Sequence, residues 1–172
     1  DSIGIEFFCS VFYPEAVDYL ESLSVKRYKI ASRTCTLNDP LSLETLSAVN
    51  HSKKSTIVSM GMGGDKKFIK KILSKNQITF LYCLSEYPLK IEKIKWNIAQ
   101  KYAGFSDHTL GITAPIIFAS LMKMKKQKNI IIEKHVKLLN SKSLDAATSL
   151  DMNQFKILND NLRNIEKLNF SP

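Results

Sequence analysis

Six short apolar runs alternate with stretches of helical spacing along this chain. That alternation is a βαβ repeat, and it commits the strands to parallel pairing with right-handed crossovers. The runs cover Ile5 to Val11, Arg27 to Ala31, Thr56 to Met60, Ile78 to Leu84, Tyr102 to Phe105, and Ile130 to Ile132 with its continuation. Continuous apolar runs of this kind suit strands buried on both faces. Helical spacing is carried by Val17, Leu20 and Leu23 behind Pro14, by Leu41, Leu43, Leu46 and Val49, and by Phe68, Ile69, Ile72 and Leu73. It returns at Ile91, Ile94 and Ile98, at Ile112, Ile116, Ala119 and Met122, and from Met152 through Phe155, Leu158, Leu162 and Ile165 to Leu168. Pro14 suits a first helical turn, and Asp151 with Gln154 reads as a cap for the last helix. The class is α/β. Its closure is either an open sheet or a barrel short of two units, because a complete (β/α)8 barrel has eight units over about 250 residues.

With 172 residues, 44% of them hydrophobic, one domain over residues 1–172 is the expectation. No apolar run approaches the roughly 18 residues that a membrane span needs, so no membrane partner is expected. The net charge of +9 suits an anionic partner in principle. It is mostly lysine, however, spread over helical stretches such as Lys66, Lys67, Lys70 and Lys71, where Phe68 is the one aromatic. Solvated helix faces account for it better than a nucleic-acid groove, so no nucleic acid is expected. Cys9, Cys35 and Cys83 are odd in number and fall near strand ends, which fits a reducing cytoplasm rather than a disulfide framework. The opening Asp1-Ser2-Ile3-Gly4 carries no basic stretch of an export signal and no initiator methionine.

Parallel sheets place chemistry just past the carboxyl ends of their strands. The last two runs end in histidine, at Phe105-Ser106-Asp107-His108 and Ile132-Glu133-Lys134-His135. Side chains two apart share a strand face, which groups Ser106 with His108, Glu133 with His135, and Cys83 with Ser85 and Tyr87. Ser10, Ser32 and Ser59 end their own runs and complete a ring of polar groups at one mouth. Neighbouring strands lie about 4.8 Å apart, so His108 and His135 could meet at one cation about 2.1 Å from each nitrogen. Each could equally be structural. Lys29 interrupts an apolar run, where it either meets an anion or snorkels outward between helices. Gly61-Met62-Gly63-Gly64 offers either amides for a phosphate or a plain tight turn. His51 sits in a polar stretch and reads as a surface residue.

These segments resemble the N-acetylneuraminate (sialic acid) synthase family, which includes legionaminic and pseudaminic acid synthases. Phe105-Ser106-Asp107-His108-Thr109-Leu110-Gly111 is similar to the family's "SDHT.G", and Tyr28-Lys29-Ile30-Ala31-Ser32 to "YKI.S". Ser59-Met60-Gly61-Met62 resembles "STGM", Cys83-Leu84-Ser85-Glu86-Tyr87-Pro88 "CTS.YP", and Ile132-Glu133-Lys134-His135 "IEKH". Asp145-Ala146-Ala147-Thr148-Ser149-Leu150 resembles the tail of "GPDH..SL".

The resemblance implies an incomplete TIM-type (β/α) barrel of six βα units, matching the family's strands three to eight. The first two strands and the C-terminal antifreeze-like domain have no counterpart in it. It implies condensation of phosphoenolpyruvate with an N-acetylated amino sugar such as N-acetylmannosamine, assisted by a divalent metal, Mn²⁺ or Mg²⁺. His108 and His135 would hold the metal. Ser10, Lys29, Ser32, Ser59, Ser85 and Ser106 would hold phosphoenolpyruvate, and Tyr87 and Asp145 would contact the sugar; Lys29, His108 and His135 would be catalytic. The sequence departs from the family pattern at Arg33, Thr34, Ser143, Leu144 and Ala146. Two consequences follow from the incomplete match: a synthase whose missing strands come from an N-terminal segment or another chain, or a truncated, non-catalytic relative that binds a phosphorylated ligand or partner subunit. Exposed sheet edges favour pairing, so a homo-oligomer or a missing N-terminal segment is expected to cover them.

Overall fold

The computed structural model describes residues 4–169, so Asp1–Ile3, read above for an export signal, lie outside it. The chain forms two compact units, Asp1–Phe80 and Leu81–Pro172. In each, the strand order follows chain order.

The first unit is built on helix α1 (Pro14–Ser22), strand β1 (Arg27–Ile30), helix α2 (Ser42–Ser52), strand β2 (Ser55–Ser59) and helix α3 (Lys66–Ile72). Pro14 opens α1 behind an extended Tyr13, and the helix buries Val17 and Leu20, as expected of its spacing. β1 and β2 pair in parallel, Arg27 opposite Ser55 through Ile30 opposite Val58. Tyr28, Lys29 and Ile30 are all buried, which is the two-sided burial that a continuous run implies. Glu21 ties the layers together, accepting from the Tyr28 hydroxyl on β1 and, at 2.7 Å, from Lys54 before β2. Asp65 caps α3 through the amides of Lys67 and Phe68.

The expected strand from Ile5 to Val11 is not formed. Only Ser10 makes a parallel bridge, to Lys29, with the Lys29 amide donating to the Cys9 carbonyl and the Val11 amide to the Lys29 carbonyl. Ile5 and Phe7 are 68% and 62% exposed, so their apolar character buries nothing within the unit that could hold a longer ladder in register.

Strand β3 (Ile78–Cys83) contains the division between the units, and the second continues with helix α4 (Trp96–Ala99), strand β4 (Gly104–Asp107), helix α5 (Thr113–Met124), strand β5 (Ile131–Lys134) and helix α6 (Met152–Lys167). β3 pairs with β4 from Leu81 opposite Gly104 to Cys83 opposite Ser106. β4 pairs with β5 from Gly104 opposite Ile131 to Asp107 opposite Lys134. The core gathers Tyr82, Leu89, Ile94, Ala99, Phe105, Ala114, Phe118 and Met122. Phe105 stands at its centre, 5.4 Å from the ring of Phe118 and 6.0 Å from that of Tyr82. Asp151 and Gln154 form the reciprocal capping box of α6, as their spacing predicts.

Two expectations shift here. The strand read over Tyr102 to Phe105 begins at Gly104, because Tyr102 is held in a turn by its amide bond to the Ala99 carbonyl. The helix read through Ile91, Ile94 and Ile98 breaks into a 3-10 turn at Ile91–Lys93 and the short α4. The Lys95 amide donates to the Tyr82 hydroxyl at 3.2 Å instead of to a helical carbonyl. Ile91 and Ile98 stay 37% exposed while Ile94 packs into the core. Among the described residues no helix is long and apolar enough to cross a membrane, and Cys9, Cys35 and Cys83 form no disulfide.

Candidate active site

The first unit assembles a polar set at the ends of β1 and β2. Lys29 is only 6% exposed, and its ammonium donates to Ser59 Oγ at 2.8 Å and to the Ile30 carbonyl at 3.2 Å. Burial of this depth excludes the snorkelling alternative; the charge is held inside and hydrogen-bonded. Ser10 lies beside Lys29 through its bridge. Ser32 is buried one residue beyond Ala31, and its Oγ accepts from the Gly61 amide at 2.8 Å.

That last bond bears on the reading of Gly61-Met62-Gly63-Gly64. The Gly61 amide is committed to Ser32, and the Lys67 and Phe68 amides at the start of α3 are committed to Asp65. The segment turns at Gly61 and Met62, and these three amides are already engaged within the protein. Its glycines serve the turn itself: Gly63 has φ +81°, and a Cβ on Gly64 would lie 2.4 Å from the Cys35 carbonyl oxygen.

In the second unit the two histidines come together. The rings of His108 and His135 are 5.3 Å apart between centroids. Tyr87 stacks over His108 at 4.0 Å and meets His135 edge-on at 5.9 Å. The backbone fixes both histidines, because the His108 carbonyl accepts from the Leu89 amide and the His135 carbonyl from the Leu150 amide, each at 2.9 Å. Asp145, itself anchored through its carbonyl by Thr148 and Ser149, reaches to 3.8 Å from His135 Nδ1. Ser85 is half-buried just past the end of β3. Ser106 Oγ donates to Glu133 Oε1 at 2.5 Å across the β4–β5 pair.

Protonation follows from these surroundings. His108 Nδ1 lies 2.8 Å from the Leu84 carbonyl, which can only accept, so Nδ1 carries the proton and Nε2 is left as an electron-pair donor. Burial, opposed by that hydrogen bond and aided by the nearby His135, holds His108 below the ordinary imidazole range. Burial, with the Cys83, Asp145 and Glu133 charges, pushes the Tyr87 phenol up to about 12. Tyr87 therefore stays a neutral donor at any physiological pH.

Two facing imidazoles, one with its Nε2 freed by a backbone carbonyl on Nδ1, fit a divalent transition-metal ion, whose histidine ligands commonly donate their other nitrogen in this way. Among the described residues no group of three or more His, Cys, Asp or Glu side chains gathers for a metal, so the fit rests on the pair.

Sequence reading singled out the residues whose side chains meet at the strand ends, but it missed those that hold them. The Leu84 carbonyl has no sequence signature. The buried Asp107–Lys134 pair had one, since "SD" and "EK" fall at matching distances before the two histidines and so lie opposite each other in a parallel pair.

The model of the NeuB family matches residues 1–170. The pseudaminic acid synthase of Campylobacter jejuni is 31% identical over 178 residues, covering 95% of this chain and 48% of its own length. The N,N'-diacetyllegionaminic acid synthase of Legionella pneumophila is also 31% identical, over 186 residues, covering 96% of this chain and 48% of its own. Among solved structures, the spore coat polysaccharide biosynthesis protein SpsE of Bacillus subtilis superposes with a TM-score of 0.76 at 25% identity, over 94% of this chain and 46% of that one. The chain thus spans about half the length of the curated relatives it matches.

Proposed function

The chain belongs to the NeuB family, and from that premise we propose that it carries the chemistry of a nonulosonic acid synthase, joining phosphoenolpyruvate to an N-acetylated amino sugar and releasing phosphate. The observation that carries this reading is the stacked set of Tyr87, His108 and His135, with Nε2 of His108 left as a donor by the bond to Leu84. The two relatives above act in making different acids at the same level of identity, so the reading stops at the class of sugar.

In this reading the first unit serves phosphoenolpyruvate. The buried Lys29 ammonium balances its phosphate or carboxylate, and the hydroxyls of Ser10, Ser32 and Ser59 supply hydrogen bonds to its oxygens. The second unit serves the sugar: Tyr87 donates from a phenol that stays protonated, and Asp145 accepts from a sugar hydroxyl. Ser85 and Ser106 join the phosphoenolpyruvate set by family resemblance, although Ser106 already donates to Glu133. His108 and His135 would hold Mn²⁺ or Mg²⁺, which when bound stabilises negative charge growing on a carbonyl oxygen.

The bonds balance as follows. The π pair of the C2=C3 bond of phosphoenolpyruvate forms the new bond from C3 to the sugar's aldehyde carbon, and the aldehyde oxygen takes one proton of the water whose oxygen adds at C2. The bond from C2 to the phosphate oxygen then breaks with its electron pair as C2 becomes a carbonyl, and the water's other proton leaves with phosphate.

The incomplete-barrel reading goes with this one: the chain corresponds to strands three to eight, with the remaining strands supplied by an N-terminal segment or a second copy. The rival reading is a non-catalytic relative that keeps the ligand sites. Phosphate release from phosphoenolpyruvate with Mn²⁺ and a panel of 2-acetamido sugars, run on this chain and on His108→Ala, tests the two. Sugar-dependent release that vanishes in the variant supports the synthase. Absence of release from folded chain that still binds phosphoenolpyruvate marks it as a catalytically incomplete piece of a synthase or as the binding relative.

A further inference from the structure

We infer that the buried Asp107–Lys134 ion pair is a register lock that positions His108 against His135. The inference rests on the reading of those histidines as a ligand pair.

Asp107 and Lys134 face each other on the last rung of the β4–β5 ladder. Their side chains are 0% and 1% exposed and meet at 2.7 Å between Nζ and Oδ2. Neither charge rests on the other alone. Asp107 Oδ1 accepts from the Thr109 amide at 2.9 Å and Oδ2 from the Thr109 hydroxyl at 3.1 Å, while Lys134 also donates to the Thr109 carbonyl. The cluster thus fastens the residue after His108 to the residue before His135.

Alternation in a strand sends Asp107 and Lys134 to the face opposite Ser106, His108, Glu133 and His135. The pair therefore takes no part in the chemistry proposed for that other face. Nor is a buried ion pair a good source of stability, since desolvation offsets its attraction and an apolar pair of similar size often does as well or better. What it does supply is a penalty for wrong alignment. A slip of β5 by one residue would bury Lys134 without its carboxylate and send His135 to the opposite face. A hydrophobic pair would tolerate the same slip at much lower cost. Ser106 to Glu133, one rung earlier, reinforces the register from the other face.

The test uses the full chain with Mn²⁺ alone as probe. The double variant Asp107→Leu with Lys134→Met removes both charges together, and Thr109→Val keeps both while removing one bond to Asp107. We expect the double variant to melt within a few degrees of the unaltered chain yet to lose at least tenfold in Mn²⁺ affinity, with Thr109→Val losing about threefold. A crystal structure of the double variant is the arm that needs no metal, and His135 displaced from its 5.3 Å approach to His108 is the expected result. Unaltered Mn²⁺ affinity in a folded double variant, or an unaltered histidine separation in its crystal structure, overturns the lock. If the double variant does not fold, Thr109→Val decides alone: a threefold or greater loss supports the lock and none overturns it. Failure of the ligand-pair reading shows differently, as Mn²⁺ binding that is absent from the unaltered chain or unchanged in His108→Ala; the crystallographic arm then judges the lock by itself.

Discussion

His108 donates its Nδ1–H to the Leu84 carbonyl at 2.8 Å, and this one bond makes Nε2 the nitrogen on offer. A carbonyl from the segment after β3 thereby selects the tautomer of a residue that follows β4. The arrangement predicts different fates for two substitutions. His108→Asn keeps a donor near the Nδ1 position and no nitrogen where Nε2 stood, so Mn²⁺ binding should vanish while the fold persists. His108→Ala should also lose Mn²⁺ but cost about 1 to 3 kcal/mol more in stability, because the Leu84 carbonyl is left unpaired. Isothermal titration and urea denaturation on both variants read the two effects separately; equal stabilities would count against the bond's importance.

Tyr87 stacks on His108 through its ring but donates only through its hydroxyl. Tyr87→Phe should leave Mn²⁺ affinity within about twofold, since the offset stack is retained. The KM for the amino sugar should rise about tenfold, as for loss of one hydrogen bond of roughly 1.4 kcal/mol. A matching loss of metal affinity would show that the phenol acts on the histidines instead.

Lys29→Met replaces a buried ammonium with a side chain of similar length. Phosphoenolpyruvate affinity, measured by titration calorimetry, should fall at least tenfold, while the melting temperature should hold or rise because a desolvated charge is removed. A large drop in melting temperature with ligand affinity intact would assign Lys29 to the core.

Gly104 opens β4 where a Cβ would stand 2.4 Å from Leu81 Cδ2 and 2.5 Å from the Ile131 carbonyl oxygen. The second contact is with backbone, which cannot turn aside. Gly104→Ala should destabilise the chain by about 1 to 3 kcal/mol, a cost typical of overpacking, read from the denaturant midpoint.

Glu21 links α1 to Tyr28 and Lys54. Burial works to raise its carboxyl, but the hydrogen bonds from Lys54 and Tyr28, with the Lys54 charge, outweigh it and leave Glu21 below its ordinary value of 4.5. Its folded state therefore holds fewer protons than the unfolded chain in that range, and stability rises with pH across it. The contribution should be fully present above the ordinary value and drain away as the pH falls through the lower, folded one. Urea midpoints of the unaltered chain and Glu21→Gln, followed from about pH 6 to about pH 3, should converge on acidification; a constant gap would deny Glu21 this role.

The βαβ rhythm and the capping box at Asp151 were legible because each depends on local spacing, whereas Tyr87 and Asp145 beside His108 and His135 were expected from the family resemblance. Alternation by two already put Ser106 with His108 and Glu133 with His135. The failures have a common cause. Ile5 to Val11 has a strand's composition, yet a ladder needs a partner at every rung and the unit provides one at Ser10. Ile91, Ile94 and Ile98 have a helix's spacing, yet the Tyr82 hydroxyl takes the Lys95 amide from a distant position in the chain. The bond from the Gly61 amide to Ser32 was likewise out of sight, because Ser32 lies far earlier in sequence.

The sequence by itself determined the α/β class, the parallel pairing and the identity of the residues at the strand ends, since hydrophobic period and motif order need no knowledge of what lies across the sheet. Only the tertiary structure decided the tautomer of His108, the burial of Lys29 and the Asp107–Lys134 lock. Each of these depends on a group brought within hydrogen-bond reach from another strand or loop, and the free energy of a polar side chain is set by that neighbour and by the water it displaces.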